Sequence, residues 1–185
     1  IDVDNEKAFF QVTNHLFDLG HRKIAHIGGP LRFNFSMQRA DGWQSAMLKL
    51  KVPNPNGYHQ ISDLSFKGGK EAMHALLALE NPPTAVCCVS DVTAIGAMQA
   101  LRENNIVPGG DVSIIGYDGL EIGKYVEPPL STMTQPRKVA GEKIAKSIMG
   151  LIETGNEPKE IQELLSATIL RRGTDNPPNR VGSNE

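Results

Sequence analysis

Seven side chains stand where they could hold a small ligand: Phe33, Asn34, Phe35, Arg39, Asp63, Asp91 and Asp118. Each falls just after an apolar stretch of strand character, or at the start of the helix that follows one. Carboxylates accept from adjacent hydroxyls, a guanidinium donates to ring and hydroxyl oxygens, and an aromatic ring covers a C–H face. Together these types suit a neutral, hydroxyl-rich molecule such as a sugar. No nucleophile with a neighbouring base accompanies them. The sequence lacks a G-x-G-x-x-G after a strand, a Walker loop and a G-x-S-x-G elbow, so the expectation is binding without turnover and no catalytic residue. His15, His21, His26, His59 and His74 never reach H-E-x-x-H spacing, so neither a metal nor another cofactor is expected. The segment FKGGKEA from Phe66 could offer amides and a lysine to an anion, but such residues are commonplace in surface turns, and the plainer reading is preferred.

The seven candidates have plainer readings too. Asp91, directly after a strand, fits a helix N-cap better than a ligand contact. Arg39, within a helix, could form a solvent-facing ion pair with Asp41, which would contribute little. Phe33 and Phe35 could simply pack. Asp118 precedes an irregular loop, so a cap explains it least.

The elements that must position these residues alternate. Asn5 opens a helix bearing Phe9, Val12, Leu16 and Leu19 and stopping at Gly20. KIAHIG reads as a strand, and a second helix carries Met37, Ala40, Trp43, Met47 and Leu50 on one stripe. After the strand YHQIS, Ser65 caps a helix that buries Ala72, Met73, Leu76 and Leu79 and ends at Pro82-Pro83. TAVCCV is apolar on both faces, as a central parallel strand must be. Asp91 then caps a helix with Ala94, Ala97, Met98 and Leu101, and VSIIGY and LSTM follow as strands around an irregular segment, 118–129. Pro136 fits the first turn of another helix, whose apolar side is Ala140, Ile144, Ile148 and Leu151 and whose exit is Gly155. SATILRR is a last strand, and TDNPPNRVGSNE is too rich in Pro, Asn and charge to fold. Such alternation means right-handed crossovers and a doubly wound parallel α/β sheet, with ligands bound beyond the carboxyl ends of the strands.

With 39% hydrophobic and 22% charged residues in 185, the composition is that of an ordinary globular protein. The net charge of −2 supplies no basic footprint, so this segment alone should not hold nucleic acid. No apolar run is long enough to cross a bilayer and no basic-then-apolar leader opens the sequence, so neither a membrane protein nor a secretory precursor is expected. Cys87 and Cys88 point to opposite faces of one strand and cannot readily pair; they read as buried free thiols in a reducing compartment.

The stretches LGHRKIAHIGGP, SMQRADGW, VSDVTAIGAMQAL, VPGGDVSIIGYDG and YVEPPLSTMTQP together resemble the effector-binding core of the LacI/GalR family of bacterial transcriptional repressors. VSDVTAIGA alone would also suit periplasmic sugar-binding proteins of the same fold. The resemblance implies a periplasmic-binding-protein-like fold of type I. Residues 5–132 and 158–173 would form the C-terminal lobe, the helix within 133–157 would belong to a mostly missing N-terminal lobe, and 174–185 would be a disordered tail. It places the main polar effector contacts at Arg39 and Asp118. Phe33 and Phe35 fall in the loop where specificity is often set, Leu64 at a position often aromatic, and Ser90 and Asp91 near the ligand. It puts Ala94, Met98 and Tyr125 in a homodimer interface, half of which this chain would lack, so that it should dimerise poorly; alternatively these apolar residues are plain core. The implied partners are a sugar or sugar-like effector and operator DNA, the latter through an N-terminal helix-turn-helix domain absent from this sequence, in the cytoplasm. A periplasmic transport receptor is the alternative, and the unpaired cysteines and repressor-like motifs count against it.

Overall fold

In the computed structural model, which describes residues 1–155 and 163–179, strand β1 (Asp2–Val3) leads into helix α1 (Asn5–Asp18). Asp4 caps that helix by accepting from the Lys7 amide at 3.0 Å. Asn5, expected as the cap, turns inward instead and is buried. The helix buries Phe9, Val12 and Leu16 and ends before Gly20, whose φ of +107° suits glycine. Strand β2 (Ile24–Gly28), helix α2 (Asn34–Lys49), strand β3 (His59–Ile61) and helix α3 (Phe66–Leu77) follow. On α2 the buried face is Arg39, Ala40, Gly42, Trp43, Ala46 and Met47; Met37, expected in the stripe, is exposed. A Cβ on Gly42 would lie 2.1 Å from the Glu6 carbonyl oxygen, so glycine lets α1 and α2 cross closely.

Strand β4 (Ala85–Cys88) is buried along its whole length, as a strand covered on both faces must be. Both cysteines are free, and burial pushes the Cys87 thiol up to about 12. Helix α4 (Asp91–Glu103), strand β5 (Ser113–Tyr117), a 3-10 turn (Glu121–Lys124), strand β6 (Ser131–Thr134), helix α5 (Arg137–Thr154), and strands β7 (Leu164–Leu165) and β8 (Thr168–Leu170) complete the chain. The sheet order is β3-β2-β4-β5-β6-β8. Pairings are parallel through β6, but β8 joins antiparallel at the edge, which alternation alone did not indicate. β1 and β7 pair apart from this sheet as a two-stranded parallel ribbon. The architecture is doubly wound α/β, with α1 against α2 and α3 against α4. The glycines of FKGGKEA serve packing: a Cβ on Gly69 would meet the Thr93 carbonyl oxygen at 2.1 Å.

The apolar side of α5 faces outward, with Ile144, Ile148 and Leu151 exposed and no residue buried. The expectation of a disordered tail from 174 fails at its start. The chain after β8 is ordered at its start: Thr174 and Asp175 are buried. The Thr174 hydroxyl donates to the Ile114 carbonyl at 2.7 Å and accepts from the Ser131 amide at 2.9 Å. Asp175 accepts from Ser131 Oγ at 2.5 Å and Arg171 Nε at 2.6 Å, and lies 2.8 Å from His15 Nε2. Polar composition is no bar to packing where each polar group finds a partner. The expected boundary at 157/158 and the tail from 180 lie outside the described residues.

Candidate functional site

A cavity of about 500 Å³ opens at the carboxyl ends of the strands, where a doubly wound sheet places ligands. β1 contributes Asp2 and Val3 to its walls, α1 Asn5, the loop and first turns of α2 Arg32 to Phe35 with Gln38 and Arg39, and the end of β6 Gln135. Arg39 is only 7% exposed. Its Nε donates to Asn5 Oδ1 at 2.9 Å and its Nη1 to the Val89 carbonyl at the end of β4 at 2.6 Å. The guanidinium lies 3.7 Å from the Tyr117 ring centroid, a cation–π contact in a desolvated place. The expected ion pair with Asp41 is absent, and among the described residues no carboxylate oxygen comes within 4.0 Å of Arg39. Burial pushes its pKa down, opposed by Tyr117 and Asp118.

Asp118 is half-buried beside this cavity. Its Oδ1 accepts from Gln135 Nε2 at 2.8 Å and its carbonyl from Arg137, and its backbone φ is +116°. Burial raises its pKa, with the Arg39 charge opposing. Phe33 and Phe35 stack with ring planes 9° apart and centroids 5.5 Å apart. The Arg32 guanidinium sits 4.7 Å from the Phe33 centroid and Arg39 4.9 Å from that of Phe35. The cavity therefore brings together Arg39, Phe33, Asn34 and Phe35, with Asp118 joined to it through Gln135.

The other candidates fall outside its walls. Asp91 is fully buried, with Oδ1 accepting from Thr132 Oγ1 and Oδ2 from the Leu120 amide, each at 2.6 Å. Burial pushes its pKa up to about 6 against those two bonds. It ties α4 to β6 and to the loop after β5, and its complete burial keeps both oxygens from the cavity. Nor is it the cap of α4: Ser90 is, accepting from the Thr93 amide at 3.2 Å. Leu64 packs over Gly29. Asp63 accepts from the amide and hydroxyl of Ser65 in a local turn. Ala94 and Met98 are fully buried in the core, so a partner subunit cannot reach them, whereas Tyr125 is 79% exposed. The histidines of the sheet are structural: His26 Nδ1 pairs with the Cys87 carbonyl at 2.9 Å, and burial drives its pKa down to about 3. Sequence reasoning missed Asp2, Val3, Asn5, Arg32, Gln38 and Gln135. Asn5 opens α1 and Gln38 stands on the second turn of α2, where a polar residue reads as a cap or as solvent-facing; their only signal was lying on the same end of the sheet.

A family model described as a periplasmic binding protein-like domain matches residues 13–174. The HTH-type transcriptional repressor CytR of Escherichia coli (strain K12) is 31% identical over 174 residues, 94% of this chain and 51% of that protein. The ribose operon repressor of Haemophilus influenzae is 35% identical over 163 residues, 88% of this chain and 49% of that one. Among solved structures, a regulatory protein of the LacI family from Chloroflexus aggregans matches with a TM-score of 0.88 at 33% identity, covering 94% of this chain and 62% of that chain. The chain spans about half the length of the curated relatives it matches.

Proposed function

The chain belongs to the periplasmic-binding-protein-like family, in its LacI/GalR branch, and from that premise we propose that it is the effector-sensing part of a DNA-binding transcriptional regulator. The observation that carries this reading is the buried guanidinium of Arg39, held by Asn5 and Val89 against a cavity at the strand ends. Arg39 donates to ring and hydroxyl oxygens of a sugar or sugar derivative, Asp118 accepts from neighbouring hydroxyls, and Phe33 and Phe35 cover its apolar face. The chemistry is binding without turnover.

Of the described residues, 5–132 and 163–173 form one lobe in this proposal, and α5 belongs to a second. The fully unburied apolar side of α5 supports that assignment. An effector lying between the lobes favours their closure, and closure shifts the DNA-binding heads of a homodimer, which are helix-turn-helix domains outside these residues. Coupling of this kind amounts to about 1–3 kcal/mol and is reciprocal between effector and operator. Tyr125 supplies part of the dimer contact. The regulator works in the cytoplasm, where the operator is. A transport receptor is not favoured, since both curated relatives described above are repressors.

The test is thermal unfolding of the complete regulator with sugars, sugar derivatives and nucleosides, because a ligand selective for the native state raises its melting temperature. Arg39→Ala and Asp118→Ala should each weaken binding of a stabilising compound by roughly 1.5–3 kcal/mol. Unchanged affinity in both, measured by calorimetry, defeats the site; conversion of the compound to a product defeats the function.

A further inference from the structure

Asn5 stands where the proposed effector contact meets the junction of the two lobes. It is buried at the start of α1, and its amide is fully engaged. Oδ1 accepts from Arg39 Nε at 2.9 Å, and Nδ2 donates to the Val3 carbonyl at 3.1 Å and to Gln38 Oε1 at 3.0 Å. The bond to Val3 sets the angle at which β1 enters α1. β1 takes no part in the six-stranded sheet; it pairs with β7, the Asp2 and Asp4 amides donating to the Glu163 and Leu165 carbonyls at 2.9 Å each. β7 follows α5 in the chain, and Lys143 of α5 reaches Glu163 Oε1 at 2.6 Å. The ribbon therefore lies where the chain passes between this lobe and the helix assigned to the second. Arg39 also donates to the Val89 carbonyl at the end of β4, so its guanidinium joins the sheet, through Asn5, to the ribbon. Asp118 is attached in a similar manner: Gln135, just before α5, and Arg137, its first residue, donate to the Asp118 Oδ1 and carbonyl.

We propose that Asn5 is the positioning residue that couples occupancy of Arg39 to the angle of the β1–β7 ribbon, and through the ribbon to the arrangement of the lobes. This rests on the two-lobed sensing reading above. An asparagine side chain is short, so the guanidinium and the ribbon keep a fixed relation only while the bonds at Oδ1 and Nδ2 both stand. If the ribbon swings, Arg39 must tilt or one of those bonds must break. An effector that needs Arg39 in place therefore binds one ribbon angle better than another, and such a difference in affinity is what lets a ligand shift an equilibrium between two arrangements. The amide is required for this. A carboxylate accepts only, so Asp at this position would keep Arg39 and release Val3.

Hydrogen exchange of β1 in the complete regulator, followed by mass spectrometry and referred to β4 in the same molecule, tests this as a double-mutant cycle without any effector. Arg39 makes no bond to β1, yet Arg39→Met should speed exchange of the Asp2 and Asp4 amides about tenfold relative to β4, the scale of one lost bond to a charged group. In the Asn5→Asp background, where the ribbon is already released, the same substitution should add nothing. Equal acceleration in both backgrounds, as a merely structural role would give, or none in either, overturns the proposal. Arg39→Lys, which keeps the charge and loses the Nε–H, takes the place of Met in the cycle should Arg39→Met not fold. A second arm adds glucose or ribose at saturation. Whichever sugar raises the melting temperature should slow exchange of those amides in the parent and leave it unaltered in Asn5→Asp; protection that survives Asn5→Asp also overturns the coupling. Should neither sugar stabilise the regulator, sugar sensing loses its support, and the cycle still decides Asn5.

Discussion

Replacing Arg39 with Met separates a binding residue from a structural brace, because Met keeps the apolar stem and removes the charge. The substitution deletes the bonds to Asn5 at 2.9 Å and Val89 at 2.6 Å and the stack on Tyr117 at 3.7 Å. Bonds from a charged donor contribute roughly 1.5–3 kcal/mol each, and a desolvated cation–π contact about 2 kcal/mol, so the gross loss is roughly 5–8 kcal/mol. Against it stands the penalty of burying an ion, also several kcal/mol, which no carboxylate within 4.0 Å offsets here. The two nearly cancel. Unfolding by urea should therefore show Arg39→Met within about 2 kcal/mol of the parent, and the melting temperature within roughly 4–8 °C for a chain of this size. Calorimetry with a stabilising polyol should meanwhile show affinity down by roughly 1.5–3 kcal/mol. A stability loss above about 5 kcal/mol, the scale for breaking an essential buried pair, with polyol affinity retained by the folded fraction, refutes the reasoning.

Gly42→Ala drives a Cβ to 2.1 Å from the Glu6 carbonyl oxygen, and since backbone must move to relieve it, the urea midpoint should fall by an amount worth about 1–3 kcal/mol; an unchanged midpoint means the α1–α2 crossing is looser than described. Cys87 and Cys88 are fully buried, so a thiol-specific aromatic disulfide should label them only as fast as the protein unfolds, and fast labelling of native protein counts against the strand assignment. At Asp175, burial would raise the pKa but is outweighed by the bonds with His15, Ser131 and Arg171, so the net shift is downward. Its stabilisation is complete above the ordinary carboxylate value and disappears as pH falls through the depressed one; Asp175→Asn should lower stability near neutrality and converge on the parent as acid protonates the carboxylate, and a gap that persists in acid rejects the ionic account. Tyr125→Arg should weaken the dimer of the complete regulator in sedimentation without altering its melting temperature in isolated monomer, and an intact dimer removes Tyr125 from the interface.

The alternation of elements was legible because each helix buries a stripe at helical spacing and each central strand is apolar on both faces; Phe9, Trp43, Met73 and Met98 show the rule at work. It failed where neighbours outside the local pattern decide. Asn5 and Asp4 are both good caps, and only the position of Arg39 shows why Asn5 points inward. Asp91 reads as a cap from its place in sequence, yet Thr132 and Leu120, which claim its oxygens, are distant in the chain. Ile148 and Leu151 announce a buried face on α5 that nothing in this lobe covers. Asp118 stands out as a carboxylate after a strand and before an irregular loop, but it is the family resemblance that sets Arg39 and Asp118 apart from Asp63 and Asp91. Gln135 could not be picked out, since its role is to hold Asp118 across the cavity rim.

The left-handed backbone at Asp118 sets protein engineering at odds with signalling. A non-glycine residue held in such a conformation costs of order 1–3 kcal/mol, and glycine would release that strain together with a half-buried carboxylate whose ionisation burial opposes. Selection for heat tolerance alone should therefore converge on Asp118→Gly, enriching for sturdier molecules that have lost a carboxylate of the proposed effector site.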